Sequence, residues 1–385
     1  MTIDPVALAA ALVRIPSVTP DCGAALDLCE RLLAEAGFSC TRLPFASAGA
    51  EVDNLVATAG AGRPHLVLSG HLDTVPPGDP GRWSVPPFAG EIREGRLFGR
   101  GAADMKSGVA AMIAAAIGFL ERHPQFPGRL SLFLTGDEEG PAVDGTARIL
   151  RWATERGLGP DACLVGEPTS VETLGDLAKI GRRGSLTGRL RVLGRQGHTA
   201  YPERAENAAH RLVSVLQALL AVRLDEGTPY FPPSSLQIAS IDIGNPASNV
   251  IPGEASALFN VRFNDRHEGA ALERRLRALL DALGIPYELE VTIAAEPFRT
   301  AEGPLTEMLA EAIERVTGRR PRFDTSGGTS DARFFAASCP VVEFGLPGPT
   351  MHQVDEQVRL ADIEGLARIY GLFLERFFLG ASAQR

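Results

Sequence analysis

Two histidines and five carboxylates fall at repeated break points of this 385-residue sequence. His71 and Asp73 follow the apolar run HLVLSG, Asp104 lies in GRGAADMKSG, Glu138 and Glu139 follow RLSLFLTGD, Glu167 follows ACLVG, and His352 lies in GPTMHQVDE. Imidazole and carboxylate suit zinc, and a shared carboxylate can hold two ions about 3.5–4 Å apart. Two histidines with three of these acids therefore make a ligand set for a metal pair. Asp73, two residues beyond His71, can accept the other ring N–H and orient the imidazole. Glu138 and Glu139 point differently from one another, so one can bind metal while the other takes a proton from water.

Taken singly, each residue has a commoner and inert reading. The pattern HxD is frequent, an acidic pair is often a solvated turn or helix start, and Asp104 could cap a helix. Glu167, before Pro168, could be a surface residue, and a lone histidine such as His352 is more often exposed or a satisfied core residue. What favours a metal site is their joint recurrence at the ends of successive strands, beside Gly-rich turns that let backbone approach a ligand.

Those positions require a particular scaffold. Up to about residue 180 the patterning predicts helices at 5–14, 24–37, 107–122 and 145–156. It places strands at 52–58, 65–70, 129–135 and 162–166, with a Gly/Pro-rich loop at 75–90. That alternation predicts a largely parallel sheet covered by helices, whose ligands bind outside the carboxyl ends of the strands. Between 183 and 294 the order becomes strand 184–194, helix 203–222, strands 235–243 and 255–263, helix 267–283 and strand 287–294, a ferredoxin-like β-α-β-β-α-β unit. Helix 302–317, a strand near 322, a helix from Asp331, strand 340–345 and helix 361–378 follow. The expected fold is α/β, a mixed, mostly parallel sheet flanked by helices, with an inserted α+β domain. Its expected boundaries are 1–182, 183–294 and 295–385.

Composition narrows the class. The charge is −9, from 38 basic and 47 acidic residues, and no Lys/Arg-rich run is present. The footprint of a nucleic-acid or anionic-membrane binder is therefore missing. The apolar stretch 109–120 is too short for a bilayer, which takes about 20 residues. The N-terminus has Asp4 and no base before Arg14, unlike a secretory signal. Five scattered cysteines, Cys22, Cys29, Cys40, Cys163 and Cys339, argue against a disulfide framework and for a reducing, cytoplasmic setting.

The segments SGHLDTVPPGD, GRLFGRGAADMKSGVAAM, LTGDEEGPAVDGT, VGEPTS, NVIPGEASALFNVRFN and EFGLPGPTMHQVDE resemble those of the di-zinc metallopeptidase and deacylase superfamily, over nearly the whole chain. GRRGSLTG, GRQGHTAYP and SGGTSDARF narrow the resemblance to its desuccinylase family. The resemblance implies a di-zinc exopeptidase-like fold and hydrolysis of N-succinyl-LL-2,6-diaminopimelate to succinate and LL-2,6-diaminopimelate, in lysine biosynthesis. It makes His71 and Glu167 ligands of one zinc, Glu139 and His352 ligands of the other, and Asp104 the bridge, with cobalt an alternative in one site. Asp73 becomes the orienting residue and Glu138 the general base. The inserted domain is expected to form a homodimer in which His198 reaches the partner's active site and stabilises the oxyanion. Without the resemblance, His198 reads as an exposed loop residue.

A succinyl and an amino-acid carboxylate call for Arg forks and neutral donors. Lys179, Arg182, Tyr201, Asn249, Arg262, Gly328, Thr329 and Arg333 match positions that the family uses or could use for this. Gly348 stands where some members have Asn, so local substrate contacts must differ. Competing readings are an acetylornithine deacetylase or glutamate-type carboxypeptidase with the same metal site, and an inactive scaffold paralogue, which would tend to have lost a ligand or the base. A structural zinc protein would need a closed Cys-rich site, and no cysteine lies near the set.

Overall fold

The apolar runs between glycines become one eight-stranded sheet. Its order is Ser39–Arg42, Asn54–Ala61, Gly128–Thr135, His65–His71, Ala162–Val165, Val341–Glu343, Leu177–Lys179 and Arg322–Asp324. The pairs at its centre, Gly128–Thr135 with His65–His71, His65–His71 with Ala162–Val165, and Ala162–Val165 with Val341–Glu343, are parallel, as is the last pair. The remaining three pairs are antiparallel, which makes the sheet mixed, as expected. His65–His71 is buried at every residue, the signature of a parallel strand covered on both faces.

The computed structural model describes residues 3–47 and 49–380. Two compact units emerge from it. The first takes the chain up to Ile180, Thr300–Asp324 and everything from Ser330; the second takes Gly181–Arg299 and Thr325–Thr329. The divisions thus fall at 181 and 299, where Gly181–Arg182 pairs with Phe298–Arg299, and a five-residue return segment joins the second unit.

In the first unit, helix Pro5–Val13 starts where the Asp4 carboxylate accepts the N–H groups of Val6 and Ala7 and Pro5 needs no partner. Helix Ser107–Arg122 packs on Leu360–Leu379 through Phe119 and Phe378, whose rings are 5.5 Å apart. Gly70 permits its approach to the sheet, since a Cβ there would lie 2.9 Å from Val109 Cγ2. The helix begins earlier than its apolar core, with an irregular turn Ala102–Lys106. The combined 21 residues are long and apolar enough to span a membrane, unlike the 109–120 stretch alone, yet 83% of the apolar window is buried in the protein. All five cysteines are unpaired.

The second unit has an antiparallel sheet ordered Ser235–Asp242, Glu254–Phe263, Gly184–Leu193, Tyr287–Ala295, the ferredoxin-like arrangement. Leu212, Val215 and Leu219 of helix Ala208–Leu220, with Leu272, Leu276 and Leu280 of Gly269–Asp281, close its core over Phe259, Val261 and Phe263. The first helix is shorter than the 203–222 expected, because Asn207 caps it and Pro202–Arg204 form a separate turn. Short strands escaped sequence reading: Ser39–Arg42, Leu177–Lys179 and a small sheet of Glu91–Arg93, Arg96–Phe98 and Gln357–Arg359. Segments of three or four residues carry too little periodicity to declare themselves.

Candidate metal centre

Three neighbouring parallel strands end side by side, and each delivers acid or imidazole. His71 is the last residue of its strand, Glu138 and Glu139 follow Thr135, and Glu167 lies two residues beyond Val165. Asp104 enters from the Ala102–Lys106 turn, where its backbone is extended, and His352 from the segment after Val341–Glu343.

Asp104 occupies the middle. Its Oδ1 lies 3.1 Å from His71 Nε2, and its Oδ2 lies 3.3 Å from His352 Nε2. His352 Nε2 is also 2.9 Å from Glu139 Oε1, and His71 Nε2 is 3.8 Å from Glu167 Oε1. His71, Glu138 and Glu167 form one compact group of donors, and His71, Asp104 and Glu139 another. One carboxylate with an imidazole facing each oxygen has the arrangement of a bridge between two cation positions.

The donors fit a divalent pair. Glu167 Oε1 is buried without a hydrogen-bond partner, an arrangement that is costly unless a cation is there to meet it. Crowding of acids has electrostatic consequences as well. Burial opposes a charge on His71, but its Asp104 hydrogen bond and the charges of Glu167, Asp104 and Asp73 outweigh that and hold its pKa well above the usual imidazole value. Hydrogen bonds to Asp104 and Glu139 lift His352 to about 10. Burial raises Asp73 to about 6, and burial followed by the charge of Asp331 raises Glu138 to about 8. Glu167 is pushed well above the carboxylate range by burial and then by Asp104 and Glu138. Divalent ions would reverse these upward shifts of the carboxylates.

Asp73 differs from expectation in how it acts. The nearest partner of His71 Nδ1 is the Asp73 backbone carbonyl at 2.9 Å, with the carboxylate at 3.6 Å. The carboxylate instead accepts the N–H groups of Glu138 at 3.3 Å and Glu139 at 3.0 Å. It therefore orients the acidic pair, while the main chain orients the imidazole.

The sequence profile of peptidase family M20/M25/M40 matches residues 67–376. This chain belongs to that family. A curated relative in Rhodospirillum centenum, named succinyl-diaminopimelate desuccinylase, is 54% identical over 99% of both chains. Another of that name in Methylorubrum populi is 51% identical over 97% of this chain and 98% of its own. Among solved structures, an M20 family metallo-carboxypeptidase of Sulfolobus solfataricus superposes with a TM-score of 0.83 at 15% identity, covering 98% of this chain and 99% of that one. A Bacillus subtilis protein described as a dinuclear metal binding peptidase of the M20 family gives 0.70 at 16% identity, covering 98% of each chain. At such identities these two structures establish the fold.

The other expected residues of this M20 chain divide between its units. In the first, Lys179 is buried and its ammonium lies 2.6 Å from Asp324, so it already has an anionic partner. Arg333 donates to the Ser330 carbonyl at 3.1 Å and keeps a buried Nε without a partner. At Gly348, a Cβ would lie 3.0 Å from the Met351 methyl and 3.3 Å from Pro168 Cβ, so the tip of the Met351 side chain would have to shift to admit an Asn. In the second unit, Arg182 donates to the Gly328 carbonyl at 3.3 Å, Asn249 accepts the Thr199 N–H, and Thr329 is half-buried. Tyr201 is exposed and stacks edge-on to His198 at 5.7 Å. His198 Nδ1 accepts the Ala200 N–H at 3.0 Å, which leaves Nε2 to carry the ring proton.

Arg183 went unnoticed in the sequence. Its Nε and the Nη1 of Arg262 are both buried without partners, and Arg262 is lowered by burial and then by the charge of Arg183. The doubled Arg in GRRGS was the available signal.

Proposed function

We propose that this chain is a succinyl-diaminopimelate desuccinylase, hydrolysing N-succinyl-LL-2,6-diaminopimelate to succinate and LL-2,6-diaminopimelate in lysine biosynthesis, in the cytoplasm. The observation that carries the reading is the Asp104 carboxylate between the Nε2 atoms of two histidines, with Glu139 and Glu167 beyond them. The name shared by relatives at 54% and 51% identity supports the substrate.

In this reading His71 and Glu167 would hold one zinc ion, Glu139 and His352 the other, and Asp104 would serve both, with cobalt an alternative in one site. Such a pair supplies Lewis acidity to the amide carbonyl and makes water a better acid. Glu138 accepts the proton of the attacking water and delivers it to the departing amine nitrogen. Asp73 holds Glu138 and Glu139 in place by their backbone N–H groups. His198, protonated on Nε2, donates to the developing oxyanion of the partner subunit's substrate. Arg182, Arg262 and Arg333, with Tyr201, Asn249, Gly328 and Thr329, recognise the substrate carboxylates, and Arg183 joins them. Lys179 acts through its ion pair rather than by direct contact.

The homodimer is supported by exposed apolar residues of the second unit. Val213 and Leu220 are 64% and 61% exposed on helix Ala208–Leu220, and Ile241 is 57% exposed on the edge strand Ser235–Asp242. An edge strand and an apolar helix face are surfaces that a second copy can cover.

The test is a panel of succinyl-diaminopimelate, acetylornithine and folate-like peptides, assayed with metal-depleted and zinc-reconstituted protein. Turnover of the first substrate alone, restored by zinc, is expected. Preferential hydrolysis of either alternative overturns the substrate, and full activity of metal-free protein overturns the metal reading.

A further inference from the structure

Asp104 and His352 are brought together from parts of the chain 248 residues apart, and a buried ion pair joins those parts. Arg100 is 3% exposed, Glu356 is fully buried, and Arg100 Nη1 lies 2.6 Å from Glu356 Oε2. Each member reaches past the other to a backbone that carries a ligand. Glu356 Oε1 accepts the N–H of Ala103 at 2.8 Å and of Asp104 itself at 3.1 Å, while Oε2 also accepts the Gly101 N–H at 3.2 Å. Arg100 donates in the opposite direction, from Nη1 to the Gln353 carbonyl at 3.3 Å and from Nη2 to the His352 carbonyl at 3.4 Å. Its guanidinium rests over the Trp83 ring at 5.3 Å.

His352 needs such a hold. Its φ is +61°, in the left-handed region that costs a residue other than glycine of order 1 kcal/mol or more, and so persists only when surroundings impose it. Relaxation of that backbone would swing the imidazole away from Asp104 and Glu139. Four donors on one buried carboxylate likewise exceed what a simple ion pair requires, and two of them, Ala103 and Asp104, belong to the turn that presents Asp104, with Gly101 just before it.

We infer that Arg100 and Glu356 are positioning residues that set the spacing between Asp104 and His352, and so govern occupancy of the cation position that Glu139 and His352 share. The inference rests on the metal reading above. It assigns work to two residues outside the set of metal donors, and it makes one of two cation positions dependent on them. Outer partners of metal ligands are worth about 10–100-fold in affinity.

The experiment titrates zinc and cobalt into metal-free wild type, Arg100→Lys, Glu356→Gln and the double variant Arg100→Met with Glu356→Gln. It reads stoichiometry, both dissociation constants and the cobalt absorption of each position. Wild type is expected to bind two ions. Arg100→Lys should weaken one by about 10–100-fold and leave the other within about threefold, with the visible spectrum of only one cobalt altered. Glu356→Gln should shift in the same direction. The double variant removes both buried charges together, which folds better than leaving one unpaired, and should show the same selective loss. Two ions bound as in wild type, or both weakened equally, overturn the inference. So does loss of cooperative melting in all three variants, which would make the pair purely structural. Fewer than two ions on wild type would instead overturn the metal reading.

Discussion

His65 and His71 stand at opposite ends of one strand, each 1% exposed, and their chemistry diverges. Burial favours the neutral form of both. At His65, Nδ1 lies 3.3 Å from the Gly159 carbonyl and Nε2 2.9 Å from the Ser131 hydroxyl, both neutral partners. Burial prevails there, and the pKa falls to about 4. At His71 the carboxylates of Asp104, Glu167 and Asp73 reverse the outcome. The two residues differ in which end of the sheet they occupy. The carboxyl ends of the parallel strands gather the segments that carry acids, whereas the amino end of this strand meets main chain and a hydroxyl. A buried histidine is therefore held neutral or charged according to its neighbours.

The largest expected effect lies at the carboxyl end. Glu138→Gln should lower turnover by about 10²–10⁴-fold, the usual worth of a general base, with zinc content by elemental analysis unchanged. An active, fully loaded variant would remove Glu138 from that role. Next comes a direct exchange between the two histidines. His71→Ala should weaken zinc by more than the roughly 10–100-fold of an outer partner and also lower the urea midpoint of the metal-free protein, because Asp104, Glu167 and Asp73 lose the buried imidazole that offsets their charge. His65→Ala should keep zinc affinity and turnover, and lose about 1–3 kcal/mol of stability through the lost contacts with Ser131 and the Gly159 carbonyl and the cavity left behind. Reversed phenotypes would break the comparison.

Opposite pH dependences follow from the same contrast. Asp73, Glu138 and His352 are raised in the fold to about 6, 8 and 10. Their contribution to the metal-free protein is complete below their unfolded values and is lost as pH rises through the folded ones. Melting temperature without metal should therefore fall between about pH 4 and pH 10, and stabilisation by zinc should grow over that range. His65, lowered to about 4, has the opposite sign: its contribution is present above about 6.5 and is lost as pH falls toward 4. In His65→Ala the acid limb of the profile should flatten while the alkaline limb persists. The smallest effect is that of Ser131→Ala, about 1–2 kcal/mol for its hydrogen bonds with His65 and Thr58, readable as a shift of the urea midpoint with zinc binding unaltered.

Much of the scaffold was legible from residues alone. Strands 65–70, 129–135 and 162–166 differ from the observed His65–His71, Gly128–Thr135 and Ala162–Val165 by a residue, because long apolar runs bounded by glycine and charge admit few alternatives. That His71, Glu139, Glu167, Asp104 and His352 converge was also legible, since successive parallel strands bring their carboxyl ends together. Less legible was what each oxygen does. Asp73 appeared to face the imidazole, yet its carboxylate serves two main-chain N–H groups, and no spacing of residue types encodes where a backbone carbonyl points. Arg100 and Glu356 lie within GRGAADMKSG and GPTMHQVDE, but nothing in either segment pairs one with the other.

The sequence by itself determined the order of the longer strands and helices, the ferredoxin-like unit between them, and the supply of imidazoles and carboxylates at strand ends. Periodicity and chemical type are local properties, and the chain carries them before it folds. Only the tertiary structure decided that Asp104 stands between two histidines, that Lys179 is already paired with Asp324, and that His65 and His71 diverge. Each of those outcomes depends on distances of a few ångströms between residues far apart in the chain, where burial strengthens every charge and hydrogen bond.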